Sequence, residues 1–315
     1  MCKSLPFAVA LVTVASAALA GPPAPPVTAA AMPIYAAPLF DAYFNVAAGY
    51  NWASNTGLPF SLSNRGAALR GRATFEAALA ERFGAQIDGV LGHEWNSVKI
   101  LGTSTDDPTT TATLAAHLFW RDPNVGLIGA IGQYTHHDTD LDDGSFKVSI
   151  TDENTFAGLE GQYFLGNVTL YAQAAYRSGT LTESGTAFDG DGVALAGQAR
   201  YFIVPNWLVA AKASYDRMTY DLPFSGAPDL KIDGWTAGLR SEYRLAAMPV
   251  SLFGELTYGE KTYKQFGSEV GEKGTRAMVG IQYNLGTGTL LERDRAGGSL
   301  DPFENHFSIP ITGPR

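Results

Sequence analysis

Apolar and polar residues alternate with a period of two along most of the chain between Phe40 and Leu285. The segment 157–165 shows the pattern clearly: Ala157, Leu159, Gly161, Tyr163 and Leu165 share one face, and Gly158, Glu160 and Gln162 share the other. Successive side chains of a strand point to opposite faces of the sheet. The alternation therefore predicts strands that each have one apolar and one polar face.

Twelve such strands are predicted, at 40–52, 67–79, 84–96, 109–121, 125–138, 153–165, 168–181, 192–203, 207–220, 232–245, 250–263 and 273–286. Short turn-forming connections, such as Gly166-Asn167, alternate with longer polar ones at 97–108, 139–152 and 182–191. The even strand number and the strand length of about 12–14 residues are typical of a closed antiparallel transmembrane β-barrel. Such a barrel has short periplasmic turns and long extracellular loops.

Aromatic residues concentrate near the ends of the predicted strands, where a membrane barrel carries two interfacial girdles. The residues assigned to these girdles are Trp120, Tyr163, Tyr176, Tyr201, Trp207, Tyr215, Tyr220, Trp235, Tyr243, Tyr258 and Tyr283. A soluble β-sandwich is the alternative, but it has shorter strands and should carry more Lys and Glu on the face toward water.

The architecture of residues 40–286 resembles that of the outer-membrane β-barrel family of Gram-negative bacteria. The last strand carries the family's recognition signal, a Gly followed three and five positions later by an aromatic and an apolar residue, as Gly280, Tyr283 and Leu285. Met278 departs from the polar residue usual before that Gly, and a tail follows the signal. The resemblance implies an outer-membrane location, contact with lipid and lipopolysaccharide, and recognition of the last strand by the assembly machinery.

The two ends of the chain lack this alternation. Residues 1–20 have the layout of a secretory signal peptide, with Lys3, an apolar run and small residues before Gly21. Residues 21–39 are rich in Pro and Ala and predict an extended periplasmic linker, and 287–315 form a periplasmic tail. Cys2 is the only cysteine, so the exported protein is expected to have no disulfide bond.

Composition removes several other classes of protein. A net charge of −9 and a pI of about 5.0 argue against a nucleic-acid-binding protein, which neutralises phosphates with basic residues. Only the N-terminal run is apolar for long enough to suggest a membrane helix, which excludes a helical membrane bundle. The mean hydropathy of −0.03 and the charged fraction of 17% fit a chain that gives one face to lipid and one to water.

The polar faces of the predicted strands carry charges of both signs. The predicted pore-lining residues are Arg70, Arg72, Glu76, Asp88, Glu160, Gln173, Arg177, Gln198, Lys212, Arg240, Glu242, Glu255 and Arg276. A porin-like channel for passive diffusion of small hydrophilic solutes or ions is the first hypothesis. A closed structural or adhesive barrel, in which internal ion pairs fill the lumen and the outer loops act, is the alternative. The oligomeric state is left open.

The fifth predicted strand is apolar on both faces at 125–131. An apolar inner face needs a cover in an otherwise polar lumen. We expect either the Pro-rich linker or the C-terminal tail, with Leu300, Phe303, Phe307 and Ile309, to fold partly into the lumen.

Catalysis is the least supported hypothesis. A lipid hydrolase would need a nucleophile beside a base, and His93 and Ser97 are the nearest approach to such a pair. The compact His-x-Ser-Asn arrangement of such hydrolases is absent, so no enzyme activity is expected. No zinc, Walker or Rossmann spacing is present, and neither metal nor cofactor is expected.

Overall fold

The computed structural model describes residues 38–57, 62–100, 103–142, 147–222, 229–265, 267–286 and 288–304. The predicted signal peptide and most of the predicted linker lie outside these residues. Twelve strands and one short helix form: β1 (Phe40–Thr56), β2 (Leu62–Ala78), β3 (Phe83–Ile100), β4 (Thr103–Asp122), β5 (Gly126–Asp142), β6 (Lys147–Leu165), β7 (Val168–Glu183), β8 (Thr186–Val204), β9 (Trp207–Tyr220), β10 (Leu230–Arg244), β11 (Val250–Gln265), β12 (Ser268–Leu285) and α1 (Leu290–Ala296).

The strands form one closed barrel in which each strand pairs antiparallel with its neighbours in sequence. Closure occurs between β1 and β12, which stay in register from Ala42 opposite Leu285 to Thr56 opposite Gly271. Closing the sheet pairs the backbone groups that an open edge would expose, as a sheet in lipid requires. The predicted number and order of strands is confirmed. We call the end where β1 begins and β12 ends the terminal end, and the opposite end the distal end.

At the distal end the strands are longer than predicted. The segments 97–108, 139–152 and 182–191, expected to be irregular loops, are mostly strand. Between β7 and β8 only Ser184 and Gly185 turn the chain, both with positive φ (48° and 84°), as a two-residue hairpin turn requires. Backbone hydrogen bonding between neighbouring strands continues beyond the membrane, because there both faces of the sheet contact water and neither face needs to be apolar.

The outer surface of the barrel is apolar between two aromatic girdles. Leu91, Leu159 and Val279 point outward and are 68–70% exposed, an exposure that an apolar solvent stabilises and water does not. Ten of the eleven aromatic residues assigned to the girdles alternate with inward-facing neighbours and point outward. Tyr220 is the exception: it is buried, faces the interior and donates a hydrogen bond to Asp152. The prediction for Tyr220 is wrong because its position in the alternation, not its residue type, decides its face.

The chain re-enters the barrel after β12. Helix α1 starts with a capping box in which Thr289 and Glu292 satisfy each other's backbone N–H groups. The helix lies at the terminal end, where Leu290 packs against Phe202, Leu208 and Ala210. Residues 297–304 continue into the interior. Among the described residues no helix is long and apolar enough to cross a membrane.

Candidate functional site

The interior of the barrel contains many of the charged groups of the chain. The thirteen residues predicted to line a pore all occupy inward-facing positions of their strands, opposite to the exposed positions. Each of them has a hydrogen-bond or ionic partner, for example Arg240 with Glu242 at 2.9 Å and Arg177 with Asp216 at 3.0 Å. Pairing is expected of charges that are removed from bulk water.

Two inward-facing residues of β4 complete networks that the sequence analysis did not identify. Arg121 forms a two-pronged pair with Glu76, at 2.6 and 2.9 Å. His117 lies between Glu160 and Asp88, at 2.8 and 3.2 Å. The signal for both was their alternation with Leu118 and Trp120, which point outward.

The C-terminal segment, as we name residues 288–304, is one of the two segments expected to enter the lumen, but its charged residues were not among those predicted to line it. It supplies Arg293, Asp294, Asp301 and Glu304 to the interior, where all four form ion pairs with strand residues. The segment has no periodicity that marks it as part of the lumen. Its place follows from its contacts with the wall, which fall into three groups.

Backbone groups of the segment pair with side chains of the wall. The carbonyl oxygen of Leu300 accepts hydrogen bonds from Arg72 at 2.7 Å and from Gln86 at 2.8 Å. Gln133 accepts from the N–H of Phe303 at 2.8 Å and donates to its carbonyl oxygen at 2.9 Å. These contacts satisfy main-chain groups that no strand pairs.

Apolar side chains of the segment cover the inner face of β5. Leu300 is fully buried against Leu127 and its neighbours Phe119 and Tyr171. Phe303 packs against Ile131 and stacks on Phe156, with ring centroids 5.4 Å apart. The apolar inner face of β5 thus has a cover in the described part of the tail. Phe307, Ile309 and the linker lie outside the described residues.

Two carboxylates of the segment each bind two cations. Asp301 accepts from Arg72 at 2.6 Å and from Arg200 at 2.8 Å. Glu304 accepts from Arg70 at 3.0 Å and from Lys212 at 2.9 Å. Burial alone would raise the pKa of Asp301, but the guanidinium groups of Arg72 and Arg200 outweigh burial and hold this pKa below its ordinary value.

A cavity of about 120 Å³ lies beside these carboxylates. Its walls include both tail carboxylates and the cations that bind them, together with Arg240, Glu242 and Glu255. The lumen is therefore polar and partly hollow at this level, while the segment occupies the path across it. Within the described residues no group of three or more His, Cys, Asp or Glu side chains is arranged to hold a metal ion.

His93 and Ser97 do not form a nucleophile–base pair. Both point outward on β3, four residues apart, which along a strand separates their Cα atoms by about 13 Å. His93 Nδ1 lies 2.9 Å from the hydroxyl of Thr110, and the Ser97 hydroxyl lies 2.6 Å from that of Ser104. The His93 ring also packs edge-on against Trp95, which points outward on β3.

Neither a family model nor a curated protein sequence matches the chain significantly, whereas solved structures do. The translocator domain of the autotransporter NalP from Neisseria meningitidis is 12% identical over 77% of this chain and 88% of that one, with a TM-score of 0.47. A Pseudomonas aeruginosa FadL homologue is 12% identical over 78% and 90%, with a TM-score of 0.43. The β-domain of the Bordetella autotransporter BrkA is 11% identical over 77% and 99%, with a TM-score of 0.45.

These likenesses are too distant to bear on function, and the architecture of this chain rests on its own strand pairing. Twelve antiparallel strands form a closed ladder, and its outer surface carries an apolar belt between aromatic girdles. The chain is a transmembrane β-barrel of the outer-membrane type, and its own C-terminal segment crosses the lumen.

Proposed function

We propose that the protein is an outer-membrane channel for small hydrophilic solutes or ions, and that the C-terminal segment closes it. The observation that carries this proposal is the nature of the obstruction. A terminal segment, held largely by ion pairs and hydrogen bonds, lies across the lumen. The thirteen inward-facing residues named from the sequence would line the passage once this segment has left.

The size of the barrel supports the same proposal. Eight strands enclose a space that side chains fill, whereas sixteen leave an aqueous channel. Twelve strands lie between these cases, and here the additional space holds a chain segment and a cavity. A wall of polar and charged groups remains when the segment is taken away. Membrane lipid, lipopolysaccharide, the assembly machinery and export by a signal peptide belong to this proposal as the setting of such a channel.

A closed structural barrel is the second candidate, and the ion pairs between strands favour it. Arg121 with Glu76, and His117 with Asp88 and Glu160, connect wall groups without the segment. In such a barrel the long distal hairpins would carry the function, as binding or adhesive surfaces. The two candidates differ in whether removal of the segment opens a path.

Planar-bilayer recording separates these candidates. Three chains are compared: the full mature chain, a chain ending at Gly286, and a chain ending at Glu304, which keeps every described contact of the segment. We expect the chain ending at Gly286 to conduct steadily and the other two to stay mostly closed. Gel mobility before and after heating checks that each chain has folded into a barrel. A folded chain ending at Gly286 that conducts no ions would overturn the channel proposal in favour of the closed barrel.

A further inference from the structure

The two carboxylates of the C-terminal segment connect opposite walls of the barrel. Arg70 and Arg72 lie on the same face of β2, whereas Arg200 lies on β8 and Lys212 on β9. In the ring of twelve strands, β8 is six strands away from β2 and β9 is five. Each carboxylate therefore binds one cation from each side of the lumen.

The charges of the wall are unequal at this level. Five strand cations line the cavity: Arg70, Arg72, Arg200, Lys212 and Arg240. Their strand partners are the carboxylates of Glu242, Glu255 and Asp88, of which Asp88 binds Arg72. The wall alone thus holds two more positive than negative charges. Asp301 and Glu304 supply the two negative charges that balance it.

Exposure distinguishes the tail carboxylates from those of the wall. The side chains of Glu242 and Glu255 are 1% and 2% exposed, whereas those of Asp301 and Glu304 are 33% and 27% exposed. The wall carboxylates are enclosed by their partners. The tail carboxylates face the cavity, so an anion entering the cavity meets the same cations that they occupy.

We propose that Arg70, Arg72, Arg200 and Lys212 form a binding site for a solute that carries two carboxylates. The C-terminal segment fills this site from within, and a dicarboxylate competes with Asp301 and Glu304 for the four cations. We call Arg72 with Arg200, and Arg70 with Lys212, the two clamps of the site. Arginine binds carboxylates with paired hydrogen bonds, and each clamp contains at least one arginine. A solute with one carboxylate would fill one clamp only. This inference rests on the proposed channel, since the solute must reach the site when the segment leaves.

Binding is measured by titration calorimetry on the refolded full-length mature protein, with succinate as the probe and its uncharged diamide as the control. The test variant is D301N/E304Q. The matched control is D233N/E260Q, which removes the same charge from carboxylates that bind Arg217 and Tyr258 on the outer face. Because the variant removes the internal competitor, we expect it to bind succinate at least about 30-fold more tightly than the native chain or the control.

A second variant tests the cations themselves. R70Q/K212M, introduced into the D301N/E304Q chain, removes the cations that bind Glu304, so succinate affinity should return to the native level or below. Unchanged affinity in this chain would overturn the assignment of the site.

The native chain also provides a test that needs no variant. Trypsin cleaves after Arg293 and Arg295, which are buried while the segment is docked. Succinate, but not its diamide, should speed this cleavage at constant ionic strength. No succinate binding by any chain, with cleavage unaffected, would contradict the site even if the channel conducts. Succinate binding by a barrel that never conducts would leave the site in place and refute the channel.

Discussion

Replacing Asp301 by Asn perturbs the docking of the C-terminal segment at one atom. Asn has nearly the same shape, but it carries no charge and turns an N–H donor toward one of the two guanidinium groups. Arg72 and Arg200 keep their pairs with Asp88 and Asp294, so no wall cation loses every partner. The expected effect is therefore confined to the equilibrium between the docked and the released segment.

The magnitude follows from the two hydrogen bonds at Asp301. A hydrogen bond to a charged group contributes about 1.5–3 kcal/mol. A third of the Asp301 side chain is exposed, so solvent screens the interaction and the lower part of that range applies. Losing one bond and weakening the other should cost about 2 kcal/mol of docking free energy. The ratio of released to docked segment should then rise about 30-fold.

Two measurements report this ratio independently. Cleavage by trypsin after Arg293 or Arg295 follows the released population when release and docking are fast relative to cleavage. The open probability of single channels in a planar bilayer follows the same population if the segment closes the lumen. E260Q, which removes a carboxylate from the outer face, serves as the control. A D301N chain with native cleavage and native open probability would refute the argument that this carboxylate holds the segment.

Three further predictions concern the same segment and the strand pairing. The channel should stay closed from pH 8 to about pH 5 and open only as the pH falls below about 4. The reason is that the pKa of Asp301 lies below its ordinary value of 3.8, and the ionised carboxylate favours docking until the pH reaches that lowered pKa. Open probability measured against pH checks this. L300A should weaken docking by about 2–5 kcal/mol through the cavity it leaves, which faster trypsin cleavage with unchanged ion selectivity would show. G280A should lower the folding yield in refolding assays, because a Cβ there would overlap the Phe253 ring on which Arg240 stacks, at a cost of about 1–3 kcal/mol.

The faces of the strands could be predicted because lipid and lumen impose opposite demands on alternate residues. All thirteen lumen residues were assigned to the correct face for this reason. The distal strand ends could not be predicted in the same way. The run 103–107 (TSTDD) is polar at every position, and its contrast between faces disappears once the strand has left the membrane. The alternation of faces also corrects the prediction for Tyr220, which occupies an inward-facing position of β9.

The candidate site could be predicted only in part. Its cations lie on strands and follow from the alternation. Asp301 and Glu304 lie in a segment with no period, and their place depends on contacts with residues more than 90 positions away in sequence, such as Lys212. The apolar inner face of β5 was the one sequence feature that required a cover, and Leu300 and Phe303 now lie on it.

The excess of cations in the wall links closure and solute binding in one equilibrium. Cations held in a narrow lumen need counter-charges, because an unpaired charge away from bulk water is costly. The strands supply two fewer carboxylates than are needed to balance the cations around the cavity. Either the segment or a solute must therefore supply these two negative charges. The segment and the dicarboxylate then compete for the four cations, and each weakens the binding of the other in proportion to its own affinity for them. A mutation that weakens docking must therefore raise both the open probability and the apparent affinity for a dicarboxylate, by the same factor when the segment is docked most of the time.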